Sequence, residues 1–198
     1  MALSPQNAVG TEGNSVLRYL IDPKGSTFGV QAFSTGVLSA FGHSPKIAIR
    51  IFEGRVSFTV DGNVLRDVNL EVRINTNSLE VADDISEKDR QEIERQMHND
   101  VLETDRFPTI LFEWSGTASG NEDLFWVKLD GALTLHGVTH TLPVSARVIV
   151  LGDSLRASGD FTVRQSDYEI AIVKVAGGAI RLKDEIKGMF DIVARKQA

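Results

Sequence analysis

Residues 129–150 read LDGALTLHGVTHTLPVSARVIV, two long alternating stretches joined at Gly137. In the first, Leu129, Leu133 and Leu135 share one parity, while Lys128, Asp130 and Thr134 take the other. In the second, Val144, Ala146, Val148 and Val150 alternate with Ser145 and Arg147. Side chains of a strand point to opposite faces in turn, so this two-residue period means a sheet with one buried face. Thr and Val, which suit pleated backbone, fill many of the positions. The stretch is a β-hairpin and predicts an all-β domain built around it.

The same period recurs on both sides. Downstream, 154–164 is a strand with Leu155, Ala157, Phe161 and Val163 on one face; Gly177 and Gly178 break the chain, and 186–193 closes the sheet with Ile186, Phe190 and Ile192. Upstream, 19–22 and 26–33 are strands separated by Pro23, the second with Phe28 and Val30 on one face. Ile47, Ile49 and Ile51 alternate, as do Val56, Phe58 and Val60, and Asp61-Gly62-Asn63 is a hairpin turn before the regular strand of Val68, Leu70, Val72 and Ile74. Residues 35–43, TGVLSAFGH, are too irregular for a strand and predict a short helical turn across one end of the sheet. Residues 119–123 predict a turn. The count is about eight strands, enough to close a sheet on itself and remove its edges.

One segment has a different period. Ser86, with Asp89 three residues on, can cap a helix over about 84–100, and Glu87 to Asn99 is rich in good helix formers. Its apolar stripe, Ile93, Met97 and Val101, is narrow, so an exposed amphipathic helix packed outside the β framework is expected, its charged side solvated.

With 198 residues the chain is expected to form one domain, 16–198, preceded by a polar, aperiodic tail at 1–15 that reads as disordered. A chain of this length buries about 70% of the surface its unfolded form exposes, so neither metal nor disulfide is needed to fold. It has no cysteine, which removes thiol chemistry and Cys-ligated zinc. The net charge of −6 without a Lys/Arg cluster argues against a nucleic-acid partner. No stretch has the 18 or so apolar residues of a membrane span, and the start, MALSPQNAVGTEGNS, lacks a basic region and an apolar run. A cytoplasmic protein is the expectation, although a periplasmic protein already processed before Met1 would read the same way.

LTLHGVT at 133–139, followed by Pro143 and Val144, resembles the most recognisable motif of the YceI-like family. Phe107, Pro108, Ile110 and Phe112 resemble a second element, with Trp114 in the place of the family's serine and Ser115 after it. Tyr19, Ile21, Asp22 and Ser26 are similar to the family's opening, with Gly25 where many members have His. Asp167-Tyr168-Glu169-Ile170 resembles Asp-Phe-Gly-Ile, Glu169 replacing the glycine. The resemblance implies an antiparallel, lipocalin-like barrel that encloses an isoprenoid quinone, polyprenyl chain or related lipid, and allows a homodimer.

Residues alone leave the barrel interior open between a channel and a core filled by side chains. Gly131, Gly159 and Gly188, inside otherwise apolar strands, can leave a channel or mark bends. The candidate apolar lining is Phe28, Val30, Phe41, Ile47, Ile49, Val68, Leu70, Val72, Phe112, Leu129, Leu133, Leu135, Val144, Ala146, Phe161 and Phe190. The candidate headgroup or mouth residues are His43, His136, Arg164 and Tyr168. Arg164 either anchors a headgroup or pairs with Asp167 to lock a turn; His136 is expected to hydrogen-bond within its own turn. A metal site from His136, His140 and His43 is weaker, because the first two straddle a turn. With no G-x-S-x-G, HExxH, P-loop or dinucleotide motif, no enzyme and no cofactor are expected, a hydrolase being the weaker reading. The competing class is a filled barrel that binds another protein, which calls for an exposed apolar patch that the sequence does not clearly show.

Overall fold

A computed structural model of the chain describes residues 15–35, 44–175 and 180–197. The tail expected at 1–15, except Ser15, lies outside the described residues. So do most of the turn expected at 35–43, with Phe41 and His43, and the Gly177-Gly178 break.

Eight strands close a ring: β1 (Leu17–Ile21), β5 (Phe52–Asp61), β6 (Val64–Asn75), β8 (Thr109–Asn121), β9 (Leu124–Leu135), β10 (Val138–Leu151), β11 (Ser154–Arg164) and β14 (Glu185–Lys196). All neighbours are antiparallel, and β14 returns to β1 through Tyr19↔Lys196 and Ile21↔Ala194. This is the expected barrel. Beside it, β14 also pairs with β2 (Thr27–Gln31), which continues through β4 (Lys46–Ile49) to β7 (Leu79–Val81). A small second sheet joins β3 (Ser34–Thr35), β13 (Ile180–Leu182) and β12 (Lys174–Val175).

The extra strands come from three bends. β1/β2, β4/β5 and β6/β7 are long strands that turn away part-way along. At the first bend Pro23 opens a single 3₁₀ turn, Pro23–Gly25, with Asp22 capping it through Lys24 N–H. Ser26 Oγ donates to Asp22 O (2.7 Å) and accepts from Val193 N–H (2.9 Å), while Asp22 N–H donates to Val193 O (2.8 Å). Both halves of the bent strand are thus tied to β14 at Val193. At the third bend Ser78 Oγ accepts from Ile51 N–H and donates to Asn75 O, and Thr76, 1% exposed, donates to Phe107 O (2.8 Å). Buried hydroxyls take up the backbone groups that bending removes from the ladder.

Helix α1 (Glu87–Gln96) starts where the sequence places it, Ser86 Oγ accepting from Asp89 N–H (3.1 Å), and runs into a π-helical turn at Met97–Val101. It lies outside the barrel against β7. Glu94 accepts from Val81 N–H (2.9 Å), and Arg90 donates to Val81 O and Asp83 O, so helix side chains satisfy the free edge of β7. The turn expected over 119–123 is tighter: β8 continues to Asn121, with Glu122 left-handed (φ 52°), because alternation persists into small residues that carry little hydrophobic signal.

Candidate functional site

The inward faces of the strands do not meet. They surround a cavity of about 340 Å³ whose lining is almost entirely apolar; Arg55, Gln96 and Gln165 are its polar side-chain contributors. Of the candidate lining residues all fifteen that are described border it, Phe41 being the one outside the described set. The structure therefore has a hollow interior where the competing reading required a filled one.

Glycine placement keeps the space open, though differently from the sequence-level alternatives of channel or bend. Phe161 lies directly opposite Gly188, and Phe190 opposite Gly159, on β11 and β14. A Cβ on Gly188 would stand 2.0 Å from Phe161 Cζ, and one on Gly159 2.8 Å from Phe190 Cζ; Phe112 covers Gly131 in the same way at 2.2 Å. Each ring lies over a neighbour without a side chain, an aromatic-over-glycine pairing.

Tyr19 and Phe58 stack (centroids 5.6 Å, 10° between planes), each 1% exposed, and Tyr19 Oη donates to Gly152 O (2.7 Å). Burial, and then the nearby Asp153 carboxylate, push the Tyr19 phenol above its usual range, so it stays a neutral donor. Ile93, Met97 and Val101 of the helical stripe border the cavity, as do Val173 and Leu182. The narrow stripe is thus part of the cavity wall.

None of the described candidate mouth residues borders the cavity. His136 and Gly137 both have positive φ (52° and 77°), as a two-residue hairpin turn with the strand twist requires. His136 does not bond within that turn. Its Nδ1 lies 3.2 Å from Tyr168 O and its Nε2 3.5 Å from Glu103 Oε1, because the left-handed turn aims the ring across the barrel rim. Tyr168 is 3% exposed and packs edge-on against His140 (5.5 Å); burial first, then Asp167, raises its phenol pKa. Arg164 pairs with Asp184 (3.3 Å), not Asp167, because Asp184 enters β14 beside it. Asp184 also accepts from Ser166 Oγ (2.6 Å) and Ser166 N–H (2.8 Å), and these bonds, with Arg164, hold its carboxyl below the ordinary range. Among the described residues no three or more His, Asp or Glu side chains converge as metal ligands.

Two features went unread in the sequence. Trp114 borders the cavity, its ring over Gly116, and shares the inward parity of Ile110 and Phe112, which was the available signal. It stands where β8 and β9 part: they pair at Leu111–Glu113 and again at Gly120–Asn121, with no ladder pairs between. The outer face of β9 and β10 carries Trp126 (72% exposed), Ile149 and Leu151 (60%), an apolar patch hidden in the polar parity.

The family profile described as YceI-like domain matches residues 19–194. The chain belongs to the YceI-like family. Among solved structures it is similar to Burkholderia cenocepacia BcnA (17% identity, TM-score 0.67, covering 87% of this chain and 98% of that one). A polyisoprenoid binding domain from Saccharophagus degradans, implicated in plant cell wall breakdown, matches at 13% identity and TM-score 0.63 over 91% and 99% of the two chains. The Campylobacter jejuni YCEI protein matches at 14% identity and TM-score 0.60 over 79% and 88%. At these identities the likeness establishes the fold. No curated protein matches the sequence.

The YceI-like motifs now have a physical reading. Phe107 packs on His136 (4.3 Å between centroids) and covers Gly137, where a Cβ would stand 2.7 Å from its ring; His136 in turn reaches Tyr168 O. Three separated motifs of this YceI-like chain meet at one corner of the rim and hold the return from α1 to β8. The fourth, Tyr19 to Ser26, fixes the first bend and ties Tyr19 to Gly152.

Proposed function

We propose that this YceI-like protein binds and carries a long apolar ligand, an isoprenoid quinone, polyprenyl chain or similar lipid, inside the barrel, and that it acts by binding without catalysis. The observation that carries the reading is the cavity of about 340 Å³ with its carbon-lined wall. Water gains almost nothing in such a space, whereas each buried methylene contributes about 0.8 kcal/mol, or about 4 kcal/mol gross for a five-carbon isoprene unit. Ordering the chain offsets part of this, and enough remains for affinity to grow with length until the cavity is full. None of the described mouth candidates borders the cavity, which leaves the chain to set affinity.

The test is a titration of delipidated protein with prenyl alcohols of increasing length. Affinity that climbs with each isoprene unit and then levels off supports the reading; affinity independent of length, or no binding by any member, rejects it. No helix among the described residues is long and apolar enough to cross a membrane.

A further inference from the structure

An open groove of about 740 Å³ adjoins the cavity, and the two share Leu182 in their walls. Alternation makes the junction. Leu182 borders the cavity while Arg181 and Lys183 on either side of it border the groove; Val173 borders the cavity and Lys174 the groove. With Arg164, four cations line this groove against two acids, Asp184 and Glu185. Asp184 is engaged by Ser166 and Arg164. Lys174, Arg181 and Lys183 are exposed and form no ion pair among the described residues. Residues 36–43 and 176–179 contain no Asp or Glu. Three like charges gathered on short strands repel one another.

The surroundings sharpen the point. The whole chain carries −6, which repels an anionic surface at long range, while the local excess at this groove attracts one within a Debye length. Such an asymmetric charge distribution orients the approach, and it turns toward the surface the side on which Val173 and Leu182 border the apolar cavity. We propose that this cationic groove docks the protein, with the side of Val173 and Leu182 foremost, on an anionic lipid bilayer, so that an apolar chain passes from bilayer to cavity without crossing water. The inference rests on the cavity being an apolar-chain site.

The test compares the full-length wild type with a Lys174→Gln/Arg181→Gln/Lys183→Gln variant in two separate measurements. Cosedimentation with phosphatidylcholine vesicles, with and without phosphatidylglycerol, reads docking; uptake of detergent-solubilised farnesol reads the cavity. The expected result is wild-type binding that requires phosphatidylglycerol and weakens with salt, reduced about 10- to 100-fold in the variant, with farnesol affinity unchanged. Binding that ignores phosphatidylglycerol, or survives the three substitutions, overturns the docking proposal. So does a variant that binds vesicles normally yet loses affinity for farnesyl diphosphate but not farnesol, which would assign the cations to a ligand headgroup. Failure of the wild type to take up farnesol or any longer prenol overturns the cavity reading instead, and with it the purpose of docking.

Discussion

Ala146 on β10 offers a substitution whose sign depends on whether the interior is hollow. It is 6% exposed, borders the cavity and faces Val127 and Gly159 on its two neighbouring strands. Ala146→Leu adds three carbons. Into free apolar space they contribute about 0.8 kcal/mol each, or about 2.4 kcal/mol, less about 0.5–1 kcal/mol for the leucine rotamers, giving a net gain of about 1.5 kcal/mol. Into a filled core the same change overpacks and costs about 1–3 kcal/mol. Urea unfolding of delipidated protein reads the difference: the midpoint should rise by at least about 0.5 M with the slope unchanged. Added prenol should then stabilise the variant less than the wild type, since those three carbons occupy ligand space. A lower midpoint in the lipid-free variant, repeated at another cavity-lining alanine, Ala157, would refute the reasoning.

Three further outcomes are expected. Glu169 ends a 3₁₀ turn in the left-handed region (φ 57°, ψ 22°), where glycine carries no Cβ penalty, so Glu169→Gly should stabilise the protein by about 0.5–1 kcal/mol in chemical unfolding despite its greater unfolded-state entropy. Asp184 has a folded-state pKa below its unfolded one, so its contribution is present above the ordinary aspartate range and lost as pH falls through the lowered value; Asp184→Asn should lower stability at neutral pH by about 1 kcal/mol and flatten the acid limb of the stability profile. Of the two tryptophans Trp114 borders the cavity and Trp126 is 72% exposed, so prenol uptake should change the emission of a Trp126→Phe variant and leave that of a Trp114→Phe variant unchanged.

Alternation carried most of the architecture into the sequence. Where a strand has one face on the cavity and one on solvent, as along Leu129 to Val150, parity alone identifies the inward residues. Every described member of the candidate lining borders the cavity for this reason. Parity says nothing of where a strand bends. The forks at Asp22–Ser26 and Thr76–Ser78 depend on hydroxyl bonds to Val193, Ile51 and Phe107, partners far away in the chain. The rim was illegible for the same reason: the partner of His136 lies 32 residues away and that of Arg164 20 residues away, and no local pattern announces either. Trp126 and Leu151 were missed because two apolar residues in an otherwise polar parity look like ordinary surface variation.

The central claim is that the barrel holds an apolar chain, and native mass spectrometry of freshly purified protein, followed by organic extraction, addresses it most directly. The account expects a mass excess removable by organic solvent and a hydrophobic molecule recovered in proportion to protein. A bare chain mass that stays bare after incubation with quinones, prenols and fatty acids would contradict it.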